Sequence, residues 1–427
     1  MIYNEKWPLK KLNECCEYIS RGKQPKYVEF SEVKTLNQKA IQWGIIDKKA
    51  LKYHNSEITV AKKHFILKDD IVLNSTGTGT VGRCYYFSEK PTENFFADSH
   101  VTIIRTKKDV LLPAFLYYQL STTHYQELIY SSFLAGSTGQ VELNKSKVQE
   151  FPVYTPDVTI QEKIVNILKV LDEKIKNNTK SIATLEQLSQ TIFKQWFIDF
   201  EFPNEIGKPY KSSGGEMVES ELGEIPKRWR VGEIDNLGTI IGGGTPSKKH
   251  DEYYTDNGIS WITPKDLSND KNTFIYKGAI DITELGLKKG SARILQKDTV
   301  LFSSRAPIGY IAIAGKEVTT NQGFKSIVPD KGYSSYFIYQ MLKFKLPMIE
   351  AAAGGSTFKE ISGKGLKEIP VTVPTIELVN IYKEIAEPLF LQIQTLEKEN
   401  QNLQQLRDTL LPKLLSGEIE IPDSLEV

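Results

Sequence analysis

The sequence predicts an α+β fold. It has two strand-rich domains in tandem repeat, each followed by a long helix, with the two helices forming an antiparallel coiled coil. Three observations predict this. An apolar ladder runs from about Ile160 to Phe200 at alternating steps of four and three: Ile164, Leu168, Leu171, Ile175, Asn178, Ile182, Leu185, Ser189, Ile192 and Trp196. Only Asn178 and Ser189 break its apolar character, and the intervening positions carry Lys, Glu, Gln and Asn, which marks a coiled-coil seam rather than an ordinary globular helix face. The same ladder recurs at Tyr382, Ala386, Leu389, Ile393, Leu396, Asn400, Leu403, Arg407, Leu410 and Leu414. The segments ahead of the two ladders also resemble each other, so one half of the chain repeats the other.

Residues 1–155 read as the first strand-rich domain. Apolar runs alternate with turn signals at Ile71-Val72-Leu73, Cys84-Tyr85-Tyr86-Phe87, Val101-Thr102-Ile103-Ile104 and Phe151-Pro152-Val153-Tyr154, and a helix is expected near Pro113 to Leu120. The first long helix falls within 156–203. Thr159 with Glu162 three residues on suggests a capping box, and Phe202-Pro203 marks the end. About 40 residues at ~1.5 Å each give a rod of roughly 60 Å. Residues 204–373 hold a second strand-rich domain, entered through a Pro-, Gly-, Ser- and Glu-rich linker over 203–226. Trp229-Arg230-Val231 matches Trp7-Pro8-Leu9, Asp298-Thr299-Val300-Leu301 matches Asp70-Ile71-Val72-Leu73, Gly355-Ser356-Thr357 matches Gly136-Ser137-Thr138, and Ile369-Pro370-Val371 matches Phe151-Pro152-Val153. The second long helix occupies 374–427, with a kink expected at Pro388.

Each domain runs into its helix through a short connection, so the rods must run antiparallel and the domains sit at opposite ends, related by a pseudo-two-fold axis. Two similar surfaces a fixed distance apart suit duplex DNA. At ~3.4 Å per base pair, ~60 Å spans about 17 base pairs as an upper limit between half-sites.

Composition is compatible. The chain of 427 residues is 40% hydrophobic and 25% charged, as for a soluble globular protein, and its net charge of +1 allows local basic patches but not a surface covered in Lys. It has no run of 18 apolar residues, and Met1 to Lys11 lacks the apolar core of a signal peptide, so neither a membrane span nor secretion is expected. Adjacent Cys15 and Cys16, with Cys84 far off, suit a reducing, cytoplasmic setting.

Candidate DNA-contacting residues come from loops at matching places in the two halves. Gly77-Thr78-Gly79-Thr80-Val81-Gly82 fits G-x-G-x-x-G, but a strand-like run follows where the dinucleotide fingerprint needs a helix. A polar hairpin turn is the better reading, with Ser75, Thr76, Thr78 and Arg83 free to touch DNA; its counterpart supplies Ser303, Ser304 and Arg305. The basic loop Arg21-Gly22-Lys23-Gln24-Pro25-Lys26 matches Gly242-Gly243-Gly244-Thr245-Pro246-Ser247-Lys248. Both suit backbone-phosphate contact or a solvated turn, and Arg21, Lys23, Gln24, Lys26, Thr245, Ser247 and Lys248 are the candidates. Ser137 and Thr138, in Gly136 to Gln140, and Ser356, Thr357 and Lys359, in Gly354 to Lys359, lie in the best-matched loops, which suit DNA contact and a tight turn before Lys145 and Lys364 equally well; Lys145 is a candidate with them. Asn321 and Gln322 complete the set. Neither metal nor catalytic spacing emerges: His54, His64, His100, His124 and His250 show no ligand pattern, and there is no D-P-P-Y or N-P-P-Y run.

Glu221-Leu222-Gly223-Glu224-Ile225-Pro226 leading into Trp229, Gly244-Thr245-Pro246, Thr320-Asn321-Gln322-Gly323-Phe324, Gln195-Trp196-Phe197-Ile198-Asp199-Phe200 and Leu410-Leu411-Pro412-Lys413-Leu414-Leu415-Ser416-Gly417-Glu418-Ile419, in their doubled arrangement, resemble the specificity subunit of type I restriction-modification systems over nearly the whole chain. The resemblance implies two target-recognition domains, each reading one half of a split DNA sequence, and helices that act as ruler and docking surface for two methyltransferase subunits. It implies no active site in this chain and no cofactor of its own. S-adenosylmethionine, ATP and Mg would sit on the partners, which include motor-nuclease subunits. The family's specificity residues lie in variable loops, so no base contact carries over residue by residue. Two departures stand out: Pro388 and Arg407 on or near the second seam, and Gly22-Lys23-Gln24-Pro25 where the second half has Gly-Thr-Pro. The competing readings are a coiled-coil protein scaffold without DNA binding and an enzyme using the glycine loop.

Overall fold

In the computed structural model, residues 7–134, 142–355 and 359–421 are described. The chain forms two compact units, Met1–Ile175 with Asn402–Val427, and Lys176–Gln401. Strand and helix are mixed in both.

The first unit runs β1 (Leu9–Lys11), β2 (Cys16–Arg21), β3 (Tyr27–Val28), β4 (Lys34–Leu36), β5 (Ile41–Gln42), β6 (Ile45–Ile46), β7 (Lys52–His54), β8 (Ile71–Asn74), β9 (Cys84–Tyr86), β10 (Phe95–Ala97) and β11 (Val101–Thr106). Helices α1 (Pro113–Ser121), α2 (Thr123–Leu128) and α3 (Lys145–Gln149), strand β12 (Pro152–Tyr154) and the first part of α4 (Val158–Phe197) follow. One sheet has the order β2-β11-β8-β9 and another β10-β4-β7-β3. Ile71, Val72 and Leu73 are fully buried because β8 lies inside its sheet and is covered on both faces, which is why that run reads as continuously apolar. Pro113 opens α1, where its missing N–H costs nothing, and Phe115, Leu116 and Leu120 point into the core. Strand β1 pairs with β12, closing the unit with Trp7 packed on Phe115 and Tyr154.

In the second unit the chain runs β13 (Met217–Val218), β14 (Ile225–Pro226), β15 (Arg230–Glu233), β16 (Thr239–Gly242), β17 (Tyr254–Thr255), β18 (Ile259–Ile262), α5 (Pro264–Asn269), β19 (Phe274–Ile275), β20 (Ile280–Ile282), α6 (Glu284–Lys289), β21 (Val300–Ser304), β22 (Ile308–Ala314), β23 (Thr319–Thr320) and β24 (Lys325–Val328). It ends with α7 (Ser335–Ala352), α8 (Gly363–Lys367), β25 (Pro370–Val373) and most of α9 (Ile376–Leu415). The sheets are β16-β24-β21-β22-β19 and β17-β20-β18-β23. The frame of the first unit returns: β15 pairs with β25 as β1 does with β12, β24 lies between β16 and β21 as β11 does between β2 and β8, and β18 runs parallel to β23 as β4 does to β10. The Pro- and Gly-rich stretch 203–226 is anchored rather than an open tether, because Tyr210 and Trp229 stack on Phe202 with ring centroids 4.5 and 5.6 Å away.

Helices α4 and α9 are each 40 residues long. The start of α4 differs from the expected capping box. Asp157, not Thr159, caps it, its Oδ1 accepting from Thr159 N at 2.9 Å and Thr159 Oγ1 at 2.7 Å. The shorter carboxylate one residue ahead of the helix reaches the orphan N–H directly, leaving Thr159 inside the first turn. Helix α9 is continuous through Pro388, which lies on an exposed face.

Every seam position of both helices is buried or half-buried, including the polar ones. Within the second unit, Asn178 Nδ2 donates to Glu399 Oε2 at 2.8 Å, Ser189 accepts from Gln340 Nε2 at 2.9 Å, and Phe193 and Trp196 lie 6.2 and 6.0 Å from the Tyr382 ring. Within the first unit, Arg407 Nη1 donates to Asp172 Oδ1 at 2.9 Å, and Tyr118 Oη donates to Asp172 Oδ2 at 2.8 Å. The charge in the second seam thus has a partner.

One junction ties the long helices to the sheets of the second unit. Glu397 of α9 is 2% exposed, and its carboxylate accepts from Thr273 N at 2.5 Å and Phe274 N at 3.1 Å, at the head of β19. Glu186 of α4 accepts from Thr273 Oγ1 at 2.8 Å, with Lys343 Nζ 3.7 Å away. Burial pushes the Glu397 carboxyl up to about 7 against the pull of its two backbone donors, and the charges of Glu186 and Asp270 add to the rise.

Candidate nucleic-acid interface

In the first unit, the loops that leave β2 and β8 and the loop that enters β11 are stitched together. Gly22 N donates to Val101 O at 2.9 Å and Lys23 N to Ala97 O at 3.0 Å. A Cβ on Gly22 would lie 1.9 Å from Ala97 O, so glycine is required by the close approach of two backbones, not by a phosphate. Ser99 Oγ donates to Gln24 Oε1 at 2.7 Å, Ser75 N to His100 O at 2.8 Å, and Thr76 Oγ1 to Gln38 Oε1 at 2.7 Å. Thr76 Oγ1 also lies 2.9 Å from His100 Nδ1. Arg21 pairs with Glu142, which bridges to Thr76 in turn. Arg83, behind the glycine turn, donates to Gln42 Oε1. Lys23, Gln24 and Thr78 are exposed on this patch, and Lys26 is exposed where the chain enters β3, its N donating to His54 Nδ1 at 2.9 Å. Burial pushes the Asp98 carboxyl up, while the His100 N–H it accepts and the nearby charges of His100, Arg21 and Lys52 pull it back.

The G-x-G-x-x-G run sits between antiparallel β8 and β9, with positive φ at Gly77, Gly79 and Gly82. It is a strand-turn-strand element, so no helix N-terminus points at it.

The second unit builds the same cluster. Gly244 N donates to Thr320 O at 2.8 Å, and Thr245 Oγ1 to Gln322 Oε1. A Cβ on Gly243 would fall 2.0 Å from Asn321 O. Trp261 Nε1 donates to Gly244 O at 3.0 Å and Tyr254 Oη to Pro246 O at 2.6 Å, which pins the glycine loop. Asn321 Oδ1 accepts from Gly323 N at 2.9 Å. Arg305 lies 3.5 Å from Glu360, as Arg21 lies beside Glu142. Ser247, Lys248, Gln322 and Lys359 are exposed.

Three candidates are corrected. Ser75, Ser303 and Ser304 are fully buried and their hydroxyls are already bonded: Ser75 Oγ to Thr102 Oγ1 at 2.6 Å, Ser303 Oγ to Pro307 O at 2.9 Å, and Ser304 Oγ to Gly323 O at 3.1 Å. They position the loops and cannot reach a ligand. Ser137, Thr138, Ser356 and Thr357 lie outside the described residues. Lys145 opens α3 and lines a hollow along β2 with Ser20 and Lys63, beside the cluster rather than in it.

Sequence reasoning missed Gln38, Gln42, Ser99 and His100, because only strand register places them here. It also missed the hairpin β5–β6, for which a signal existed: Ile41-Gln42-Trp43-Gly44-Ile45-Ile46 has a glycine at the second position of a two-residue turn. Among the described residues, no group of three or more His, Cys, Asp or Glu is placed to hold a metal ion, and no helix is long and apolar enough to cross a membrane.

Comparison with known proteins agrees with this doubled architecture. Residues 4–187 and 226–408 match the family described as the type I restriction modification DNA specificity domain. The specificity subunit of the type I restriction enzyme HindI from Haemophilus influenzae is 28% identical over 413 residues, covering 84% of this chain and 88% of that protein. That of MjaIX from Methanocaldococcus jannaschii is 45% identical over 164 residues, 38% of each chain. The crystal structure of the S subunit of a type I restriction-modification system from M. genitalium shares the fold, with a TM-score of 0.56 at 18% identity over 96% of both chains. With two family segments matched across most of its length, and two like-built units beneath them, the chain belongs to the family of type I restriction-modification specificity subunits.

Proposed function

We propose that this chain is the DNA-recognition subunit of a type I restriction-modification complex and carries no catalytic site itself. The observation that carries the reading is the duplicated loop cluster. Two sheets of like order each gather an Arg–carboxylate pair, exposed Lys and Gln, and small hydroxyls into one polar surface. Such a surface can contact phosphates and base edges, and two of them in one chain suit a bipartite target. Each unit reads one half-site.

The long helices pair antiparallel and set the spacer. What supports this is that Asn178 meets Glu399 while Trp196, further along α4, meets Tyr382, earlier in α9. The helices also dock two methyltransferase subunits, which bind S-adenosylmethionine, and motor-nuclease subunits with ATP and Mg join for cleavage.

The test is a map of methyladenine across the source genome with this gene intact and deleted. A split motif methylated on both strands and lost on deletion is expected. Retention of every methylated motif, when the methyltransferase subunit is expressed, would refute the reading and leave a protein scaffold.

A further inference from the structure

Hairpin β5–β6 leaves the first unit's loop cluster with its turn beside the Tyr117 hydroxyl of α1 and with two large apolar side chains that the described residues of the unit leave partly in solvent. Ile41 pairs with Ile46 and Gln42 with Ile45, and Gly44, at φ +66, closes the turn. Its base is fixed. Ile41 is fully buried, Asp47 N donates to Ala40 O at 2.8 Å, Gln42 Nε2 donates to Lys39 O at 2.9 Å, and Arg83 grips the Gln42 amide oxygen. Its tip is not buried: Trp43 is 44% exposed and Ile45 65%. A fixed stem that holds two large apolar side chains partly in solvent, next to the polar loop cluster, offers an anchor to whatever covers them.

The surroundings say what that is. Lys39, Lys48 and Lys49 are exposed near the hairpin, and Arg83 lies against it. Of the nearby acids, Asp47 is turned to Lys49 N, Glu93 is engaged by Lys34 at 2.7 Å and lies 3.9 Å from Lys48, and Asp172, behind Tyr117, is held by Arg407. A cationic collar around an apolar tip complements a polyanion with an apolar interior, which is duplex DNA. The hairpin is also continuous with the candidate interface, since Gln38, which leads into it, holds Thr76. The second unit has no hairpin at this place. After β18, the counterpart of β4, the chain forms α5, opened by Pro264 and capped by Thr263 and Asp266. The element is therefore particular to one half-site.

We propose that the tip residues Trp43 and Ile45 form a wedge that enters the duplex at the first half-site and unstacks one base step, so that this domain reads deformability as well as base edges. The inference rests on the DNA-recognition reading above.

The test uses the assembled complex with its methyltransferase subunits and a target duplex carrying 2-aminopurine at successive positions across the first half-site and its flanks. Wild-type complex is expected to raise fluorescence several-fold at one step away from the adenine that the methyltransferase extrudes. Trp43→Ser with Ile45→Ser should abolish that rise and weaken binding about 10- to 100-fold. The dependence of affinity on salt should keep its slope, because no phosphate contact is removed. Trp43→Phe should retain most of the signal, which separates loss of the wedge from misfolding. Discrimination at the second half-site should not change. A wild-type complex that binds its target selectively but brightens only the extruded adenine would overturn the wedge. So would a double serine variant that keeps the rise, or one that loses methyltransferase assembly while keeping the rise. A wild-type complex with no target selectivity would instead overturn the recognition reading beneath it.

Discussion

The buried Glu397 carboxyl makes the stability of the second unit depend on pH in the direction opposite to that of a salt-bridged acid. Its pKa stands at about 7 in the folded chain against 4.5 for an ordinary glutamate. Between those values the folded state holds a proton that the unfolded chain has released. Stability from this group is full below pH ~4.5, falls as pH rises, and is lost above ~7. About 2.5 pKa units at ~1.36 kcal/mol each amount to ~3 kcal/mol. Glu397→Gln is neutral at every pH. It retains an acceptor for one of Thr273 N and Phe274 N and turns an NH2 toward the other, a fixed cost of ~1–2 kcal/mol that does not titrate. The stability of the variant relative to wild type should therefore rise by ~3 kcal/mol between pH 4.5 and 8. Urea unfolding at constant ionic strength, followed by tryptophan fluorescence, reads this directly. For m near 3 kcal/mol/M the relative midpoint shifts by about 1 M. Taking the difference between the two proteins removes from the comparison the raised carboxyls that do not act on Glu397, Asp70 and Asp98. A difference that stays constant across this range would refute the assignment of a buried proton to Glu397.

Other perturbations separate structural from contact roles. Gly243→Ala drives a Cβ to within 2.0 Å of Asn321 O and should cost ~1–3 kcal/mol in urea unfolding. Gly79→Ala meets no atom within 4 Å and should cost only the ~1–2 kcal/mol of its positive φ. Arg407→Leu leaves Asp172 with Tyr118 alone and should destabilise the first unit by ~1–3 kcal/mol, a loss that the further change Asp172→Asn should partly restore. Lys248→Ala, at an exposed position, should weaken binding of the assembled complex to all sequences alike and reduce its salt slope by about 1, as measured by titration at several salt concentrations.

Local patterns were legible without coordinates. The four-three ladder fixes which side of each long helix is buried, because side-chain direction on a helix depends only on local spacing. The structure buries or half-buries each of those positions, down to Asn178 and Ser189. The strands at Ile71-Val72-Leu73 and Val101 to Ile104, the helix from Pro113, and the repeat of one domain frame in the other could be read for the same reason. Residue type alone did not reveal exposure. Ser75, Ser303 and Ser304 have the same chemistry as the exposed hydroxyls around them, and only the sheet register turned them inward.

The repeat, the element types and the helix faces all follow from neighbours within a turn or a strand, and so were readable from the residues. Tertiary structure alone decided which loops meet. Arg21 finds Glu142 across 121 residues and Thr245 finds Gln322 across 77, through strand pairings that no local window encodes. It also decided that a charged residue in a seam is tolerated where a carboxylate faces it, as Arg407 faces Asp172. Finally, it placed Glu397 where burial, not composition, sets its proton affinity. The physical reason is range: periodicity acts through neighbouring residues, whereas pairing, burial and charge depend on whatever the folded chain brings alongside.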